Sequence, residues 1–195
     1  MAGRTDEGLR AIIRPLPQAR YEVDTHWGML EKTLSDWSSD YGLDLSPDFQ
    51  RGHVWTASQQ QRYVENVLRG AVPTSGLTIQ FNCAKFESRL VEPNSDLPGG
   101  FQIMDGLQRL TAVREFMAGN VRPFSLTLED LAGTSFTPKG MIYRLRFAVF
   151  CFQYKREVLD HYLALNEGGT PHSDEEISRI REMRDRLAPL PKAQA

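Results

Sequence analysis

The chain has 195 residues, 41% of them hydrophobic and 25% charged, with a formal net charge of −2. Such a length supports one domain with terminal extensions and a core that needs neither disulfides nor a structural metal, and no apolar run approaches the roughly 18 residues of a bilayer span. The slight acidity excludes a global basic field, so any contact with nucleic acid must come from a local groove.

The N-terminal MAGRTDEGLR lacks the apolar stretch of a secretory signal, and only Cys83 and Cys151 could pair, so the expected setting is a reducing cytoplasm. Residues 1–20, with Pro15 and Pro17, read as an arm; 21–188 form the domain and 189–195 a tail. A first helix is expected from a cap at Asp24 or Thr25, with Trp27, Leu30, Leu34 and Trp37 on its inner face. After the turn-rich DLSPDFQRGHVWTAS, a second helix begins where Ser58 and Gln61 have capping-box spacing, buries Tyr63, Val64, Val67 and Leu68, and ends at Gly70. In LTIQFNC the alternation of Leu77, Ile79, Phe81 and Cys83 is that of a half-buried strand, with FESRLVE able to return beside it as a hairpin.

The Pro- and Gly-rich EPNSDLPGG then leads to a short strand FQIM and a helix over Leu107 to Met117, leaving Asp105 and Gly106 in the strand-to-helix turn. Ile142, Leu145, Phe147 and Val149 suggest another strand, followed by a helix over Lys155 to Asn166 stopped by Gly168 and Gly169. Ser173 and Glu176 have capping-box spacing ahead of a last helix, whose apolar stripe is Ile177, Ile180, Met183 and Leu187. The fold class is therefore α+β.

The DGLQRLT segment sits where a helix offers unpaired N–H groups and the positive end of its dipole, a setting that favours phosphate. Gly106 permits close backbone approach, Arg109 offers a fork of donors, Gln108 and Thr111 add neutral hydrogen bonds, and Asp105 suits a Mg²⁺ ion or proton transfer. The structural alternative is that Asp105 caps the helix and Arg109 forms a surface ion pair. In QRGHVW, Gln50, Arg51 and His53 with Trp55 could surround a nucleotide; alternatively Trp55 staples the next helix, Arg51 braces the loop against Asp48, and His53 is an exposed loop residue. Asn166 and the Gly168 to Thr170 backbone could face a ligand, although a helix stop followed by a cap explains that stretch equally. The histidines and cysteines show no zinc spacing, and P-loop, Rossmann and GxSxG signatures are absent. The arginines of the last helix alternate with glutamates, the pattern of a solvated face.

Taken in order, DFQRGHVWTASQQQRYVENVLRG, IMDGLQRLTAVREFM and LNEGGTPHSDEEI resemble the N-terminal domain of GmrSD-type restriction enzymes and of the phosphorothioation-sensing SspE proteins. The resemblance spans residues 20 to 185, with Leu107 standing where the family's DGQQR motif has its first glutamine. It implies a ParB/sulfiredoxin-like fold, a small mixed sheet with surrounding helices cradling a nucleotide. It further implies phosphoryl chemistry with ATP or GTP and Mg²⁺, with Asp105, Arg109 and His53 catalytic and Gln50, Arg51, Gly106, Gln108, Thr111 and Asn166 on the nucleotide. The sequence ends at Ala195 without an HNH-like cluster, so the expectation is a stand-alone phosphotransferase or an NTPase subunit. A phage-type kinase acting on hydroxymethyl groups of modified DNA bases, such as 5-hydroxymethyluracil, fits first, in the cytoplasm of the phage's host. An NTPase or nucleotide-sensing subunit of a restriction system, docked on DNA or a partner nuclease, is the alternative, and direct DNA cleavage by a ParB-like nuclease comes last.

Overall fold

A computed structural model describes residues 5–86, 94–166 and 174–190, with the side chain of Asn166 outside the described set. The arm contains a short helix, α1 (Asp6–Ile13), capped by Thr5, whose hydroxyl accepts from the Gly8 N–H at 3.2 Å; none of its residues is buried. The expected helix start at Asp24 is instead the end of a strand, β1 (Tyr21–His26). β-branched Val23 and Thr25 suit a pleated surface, and pairing with a later strand overrides the helical spacing: the ladder extends to Trp27, whose N–H donates to the Tyr143 carbonyl at 3.0 Å. Helical geometry begins with a 3₁₀ turn at Trp27–Met29 and continues as α2 (Leu30–Tyr41), which ends at Gly42 with φ 65°.

The second long helix, α3 (Ala57–Leu68), is capped by Thr56 and Gln59 rather than by Ser58 and Gln61. Two overlapping S/T-x-x-Q patterns lie two residues apart, and the upstream one closes the reciprocal bonds, Gln59 N–H to Thr56 Oγ1 at 3.3 Å and Thr56 N–H to Gln59 Oε1 at 2.8 Å. Ser58 then lies within the first turn, and Gln61 bonds Glu65 instead. A single turn, α4 (Thr74–Leu77), precedes β2 (Thr78–Cys83). Most of the FESRLVE stretch lies outside the described residues; the antiparallel neighbour of β2 is β3 (Phe101–Asp105). Next come α5 (Leu107–Met117), the turn α6 (Leu128–Leu131), β4 (Arg144–Phe150), α7 (Lys155–Asn166) and α8 (Asp174–Asp185). Ile142 falls before β4 and is exposed.

The four strands run in the order β1-β4-β2-β3, with β2 and β4 parallel and the other two pairs antiparallel, so the sheet is mixed and the fold is α+β. Alternate residues face opposite sides. Ile79, Phe81, Phe101, Ile103, Leu145 and Phe147 meet α2, α3 and α5 in one core, where Trp37 stacks on Phe101 at 4.2 Å between ring centres. Phe49, Met104, Ala148 and Phe150 meet Val158, Leu159 and Tyr162 of α7 and Ile180 of α8 in a second core on the other side. Asn82, buried in β2, stitches that side together: its amide accepts from Phe152 N–H at 2.7 Å and donates to Phe152 O at 3.2 Å. No helix among the described residues is long and apolar enough to cross a membrane.

Candidate functional site

The β3–α5 junction is set by Gly106. Its φ of +93° is one that L side chains rarely adopt, and a Cβ there would lie 2.7 Å from Ile79 Cδ1. Asp105 is the last residue of β3, opposite Gln80 across a register shift in β2. It does not cap α5, which has no side-chain cap. Its carboxylate pairs with Arg109 one turn along α5, and the Arg109 guanidinium also donates to the Ser75 carbonyl at 3.0 Å. Arg109 is thus held from two sides, beside an α5 N-terminus whose leading N–H groups are left for another acceptor. Tyr63 borders this group: its hydroxyl donates to Gly76 O at 2.8 Å, and burial raises its pKa to about 12 against the opposing pull of the Arg109 charge.

The QRGHVW loop is bolted to this junction. The Gln108 amide oxygen accepts from Val54 N–H at 2.9 Å and Trp55 N–H at 3.1 Å, and its nitrogen donates to Gly52 O at 3.1 Å. From the other side, Gln50 donates to the Met104 carbonyl. Upstream, Asp44 pairs with the free edge of β3, through Asp44 N–H to Phe101 O at 2.8 Å and Ile103 N–H to Asp44 O at 3.0 Å. The two motifs expected to share a site therefore do meet, and glutamine amides are what join them. Thr111 is turned into its own helix, its hydroxyl donating to Leu107 O at 2.9 Å. His53 is exposed and lies against α3, with Nε2 accepting from the buried Gln60 amide at 2.7 Å. Trp55 packs on Tyr63 of the same helix at 5.5 Å between ring centres, beyond the fourth helical position, Gln60, to which a hydrophobic staple would reach.

Arg51 does not brace Asp48. It pairs with Glu176 on α8 at 3.0 Å, while Asp48 pairs with Lys155. Glu176 has only 8% of its side chain exposed and accepts from the Tyr162 hydroxyl at 3.1 Å. Burial and the Glu176 charge raise the pKa of that phenol. Arg179, one turn further along α8, donates to Asp48 O at 3.1 Å and Phe49 O at 3.0 Å, so the last helix reaches back to the loop instead of presenting only a solvated face. Ser173 and the Gly168 to Thr170 stretch lie outside the described residues, as does the Asn166 side chain.

Residues that the sequence reading passed over complete the surroundings of Asp105. His161 of α7 is buried between Phe150 and Phe152, with Nε2 2.9 Å from Gln80 Oε1. Burial lowers its pKa, opposed by the Asp105 charge. The same carboxylate acts on Tyr162, so Gln80, His161, Tyr162 and Glu176 belong to one polar neighbourhood with Asp105 and Arg51. Its available signals were a polar Gln80 in an apolar strand and the glutamate of an apparent cap. Among the described residues no three His, Cys, Asp or Glu side chains cluster as a metal cage. Asp105 offers one carboxylate, which suits a Mg²⁺ ion carried mainly by phosphates and water.

A mixed sheet between two helical layers, with an uncapped helix start flanked by paired arginines, makes this an α+β domain with a polar site at one strand end. The family model for the GmrSD restriction endonuclease N-terminal domain matches residues 34–182, and the chain belongs to that family. The matched range runs from α2 to α8 and holds both motifs and the Arg51–Glu176 pair. Its setting is thereby DNA restriction. No curated protein and no solved structure is similar enough to register as a match. Leu107, the first residue of α5, packs against the first core.

Proposed function

We propose that this domain binds a nucleoside triphosphate across the β3–α5 junction and carries out phosphoryl chemistry on it within a DNA restriction system. The observation that carries the reading is the uncapped α5 N-terminus with Arg109 held at it by Asp105 and Ser75. Backbone N–H groups of the first turn and the helix dipole favour phosphate oxygens, and the Arg109 fork adds charge-assisted donors. Arg51, on the loop that Gln108 and Gln50 fasten over the junction, supplies a second cation. Phosphoryl transfer relies on position and charge more than on covalent catalysis, so two arginines and one carboxylate are an adequate set. A Mg²⁺ ion arriving with the nucleotide would neutralise phosphate charge, with Asp105 its protein ligand. Kinship with ParB and sulfiredoxin folds is part of this proposal.

The acceptor divides the possibilities. Transfer to water makes the domain an NTPase; transfer to a hydroxyl of a modified base makes it a kinase. DNA is substrate in the second case and effector in the first. His53, exposed and bonded to α3, is not needed for either. The test uses γ-labelled ATP and GTP with Mg²⁺, without DNA, with ordinary DNA and with 5-hydroxymethyluracil DNA, alongside Asp105→Ala and Arg109→Ala. Free phosphate that disappears in both variants supports the NTPase, and label on modified DNA supports the kinase. Turnover that survives both substitutions rejects this site.

A further inference from the structure

We infer that Cys83 and Cys151, the two cysteines of the chain, form a site of reversible oxidative modification: a hydroperoxide oxidises Cys151, and Cys83 converts the product into a disulfide that ties β2 to β4. Nothing in this depends on nucleotide binding. The placement follows from the register of the two parallel strands, whose pairs run in step from Thr78↔Arg146 to Asn82↔Phe150. One step further sets Cys83, the last residue of β2, opposite Cys151, the first residue past β4. Alternation then gives both side chains the same face of the sheet, since Phe81, Cys83 and Val149 are in the first core and Phe150 is in the second.

The two chains do not part at this point. The Gln153 amide nitrogen donates to Ala84 O at 2.8 Å and to Cys151 O at 3.3 Å, and Asn82 holds the N–H and carbonyl of Phe152. Neighbouring strands lie about 4.7–4.9 Å apart, inside the Cα separation of about 4.4–6.8 Å that a disulfide spans. Both residues are thiols in this structure, Cys151 half-buried and Cys83 fully buried. That difference sets the order of events. Burial pushes the Cys83 thiol up to about 11, which disqualifies it as the first to meet a peroxide, because the thiolate is the reactive form. Cys151 therefore attacks: its sulfur bonds one peroxide oxygen, the O–O bond breaks, and the other oxygen leaves as water with the thiol proton, giving a sulfenic acid. The Cys83 sulfur, held opposite, then attacks the sulfenic sulfur; the S–S bond forms, the S–O bond breaks, and the hydroxyl leaves as water with the Cys83 proton. Two thiols are oxidised by two electrons in total, and one hydroperoxide is reduced. The long hydrogen bond from Cys83 Sγ to Gly99 O, at 3.6 Å, is given up. In a reducing compartment such a bond is transient, the pattern of a redox-responsive pair rather than of a permanent staple.

The test exposes the native protein to a small molar excess of hydrogen peroxide, blocks remaining thiols by alkylation and maps peptides without reduction, in the wild type, Cys151→Ser and Cys83→Ala. The wild type should give a monomer in which 83 and 151 are linked, in a yield independent of protein concentration, and dithiothreitol should restore both thiols. Its melting temperature should rise by at least about 5 °C, because the link constrains a long loop of the unfolded chain. The rise should vanish on reduction and be absent in Cys151→Ser. Cys83→Ala should stop at the sulfenic acid and trap several-fold more dimedone than the wild type. If that buried replacement does not fold, the wild type and Cys151→Ser still decide. Links formed only between copies overturn the inference, as does Cys151 advancing to the sulfinic acid beside an unchanged Cys83 thiol. So does survival of both thiols in peroxide that oxidises glutathione in the same tube. A linked protein that melts below the reduced one shows a bond forced on the fold, and overturns it too.

Discussion

Replacing Gly106 with alanine puts a methyl group into space already taken. The backbone cost of a φ of +93° for an L residue is about 1–2 kcal/mol. To this is added overpacking, since the new Cβ would sit 2.7 Å from Ile79 Cδ1, 3.2 Å from Ile79 Cα and 3.1 Å from the Arg109 guanidinium. Crowding of that kind in a packed core costs about 1–3 kcal/mol, so the sum is about 2–5 kcal/mol. For a chain of this size the melting temperature should fall by about 4–20 °C. The two components can be separated, because Ile79→Val removes Cδ1. By itself it should cost about 0.5–1.5 kcal/mol, but in the Gly106→Ala background it should cost almost nothing or even restore stability. Urea unfolding of the wild type, both single variants and the double variant measures this as a coupling of about 1 kcal/mol. Additivity within about 0.5 kcal/mol, or a Gly106→Ala protein as stable as the wild type, would refute the view that the turn is sterically committed to glycine.

Other substitutions discriminate among the contacts. Asn82→Ala leaves the buried N–H and C=O of Phe152 without the Asn82 amide and should cost about 2–4 kcal/mol in denaturant unfolding. Gln108→Ala removes the hydrogen bonds to Gly52, Val54 and Trp55; limited proteolysis should show faster cleavage within 51–55 than in the wild type, at a stability loss of about 1–2 kcal/mol. Arg114→Ala breaks a well-formed but exposed pair with Glu31 and should lower stability by less than about 1 kcal/mol. His161 is held neutral by burial, with its pKa lowered from 6.5, so below that value the unfolded chain takes up a proton that the native chain refuses. Its contribution is complete above about pH 6.5 and declines as the pH falls toward the lowered native pKa. Melting temperatures between about pH 7.5 and 5 should show this decline, and His161→Gln should flatten it.

The elements that could be read from sequence are those in which local pattern and tertiary packing agree. α5 and α7 occupy the expected ranges because their apolar residues recur at helical spacing and also meet a core. β1 was missed because its partner, β4, lies more than a hundred residues away, and nothing local outweighs the helical spacing of Trp27, Leu30 and Leu34. The choice between the Thr56 and Ser58 caps rests on where the loop enters α3. That entry is fixed by Gln108 bonding Val54 and Trp55. The same distance effect governs the site. Asp105, Gly106 and Arg109 are neighbours in the chain, and their turn geometry was legible. The meaning of Gln50, Gln108 and Arg51 was not, because each is defined by a partner on a remote element: Met104, the 52–55 loop and Glu176. Glu176 carried a signal, its capping-box spacing, but the spacing gives no hint that the carboxylate turns inward to an arginine.

Nucleotide binding at the β3–α5 junction is most directly tested by calorimetric titration of non-hydrolysable ATP and GTP analogues, with Mg²⁺, into the wild type and Arg109→Ala. The wild type should bind at least one analogue, and Arg109→Ala should bind it at least about tenfold more weakly, the loss of a charge-assisted donor worth about 1.5–3 kcal/mol. Equal affinity in the two proteins, or no heat from either analogue with the wild type, would contradict it.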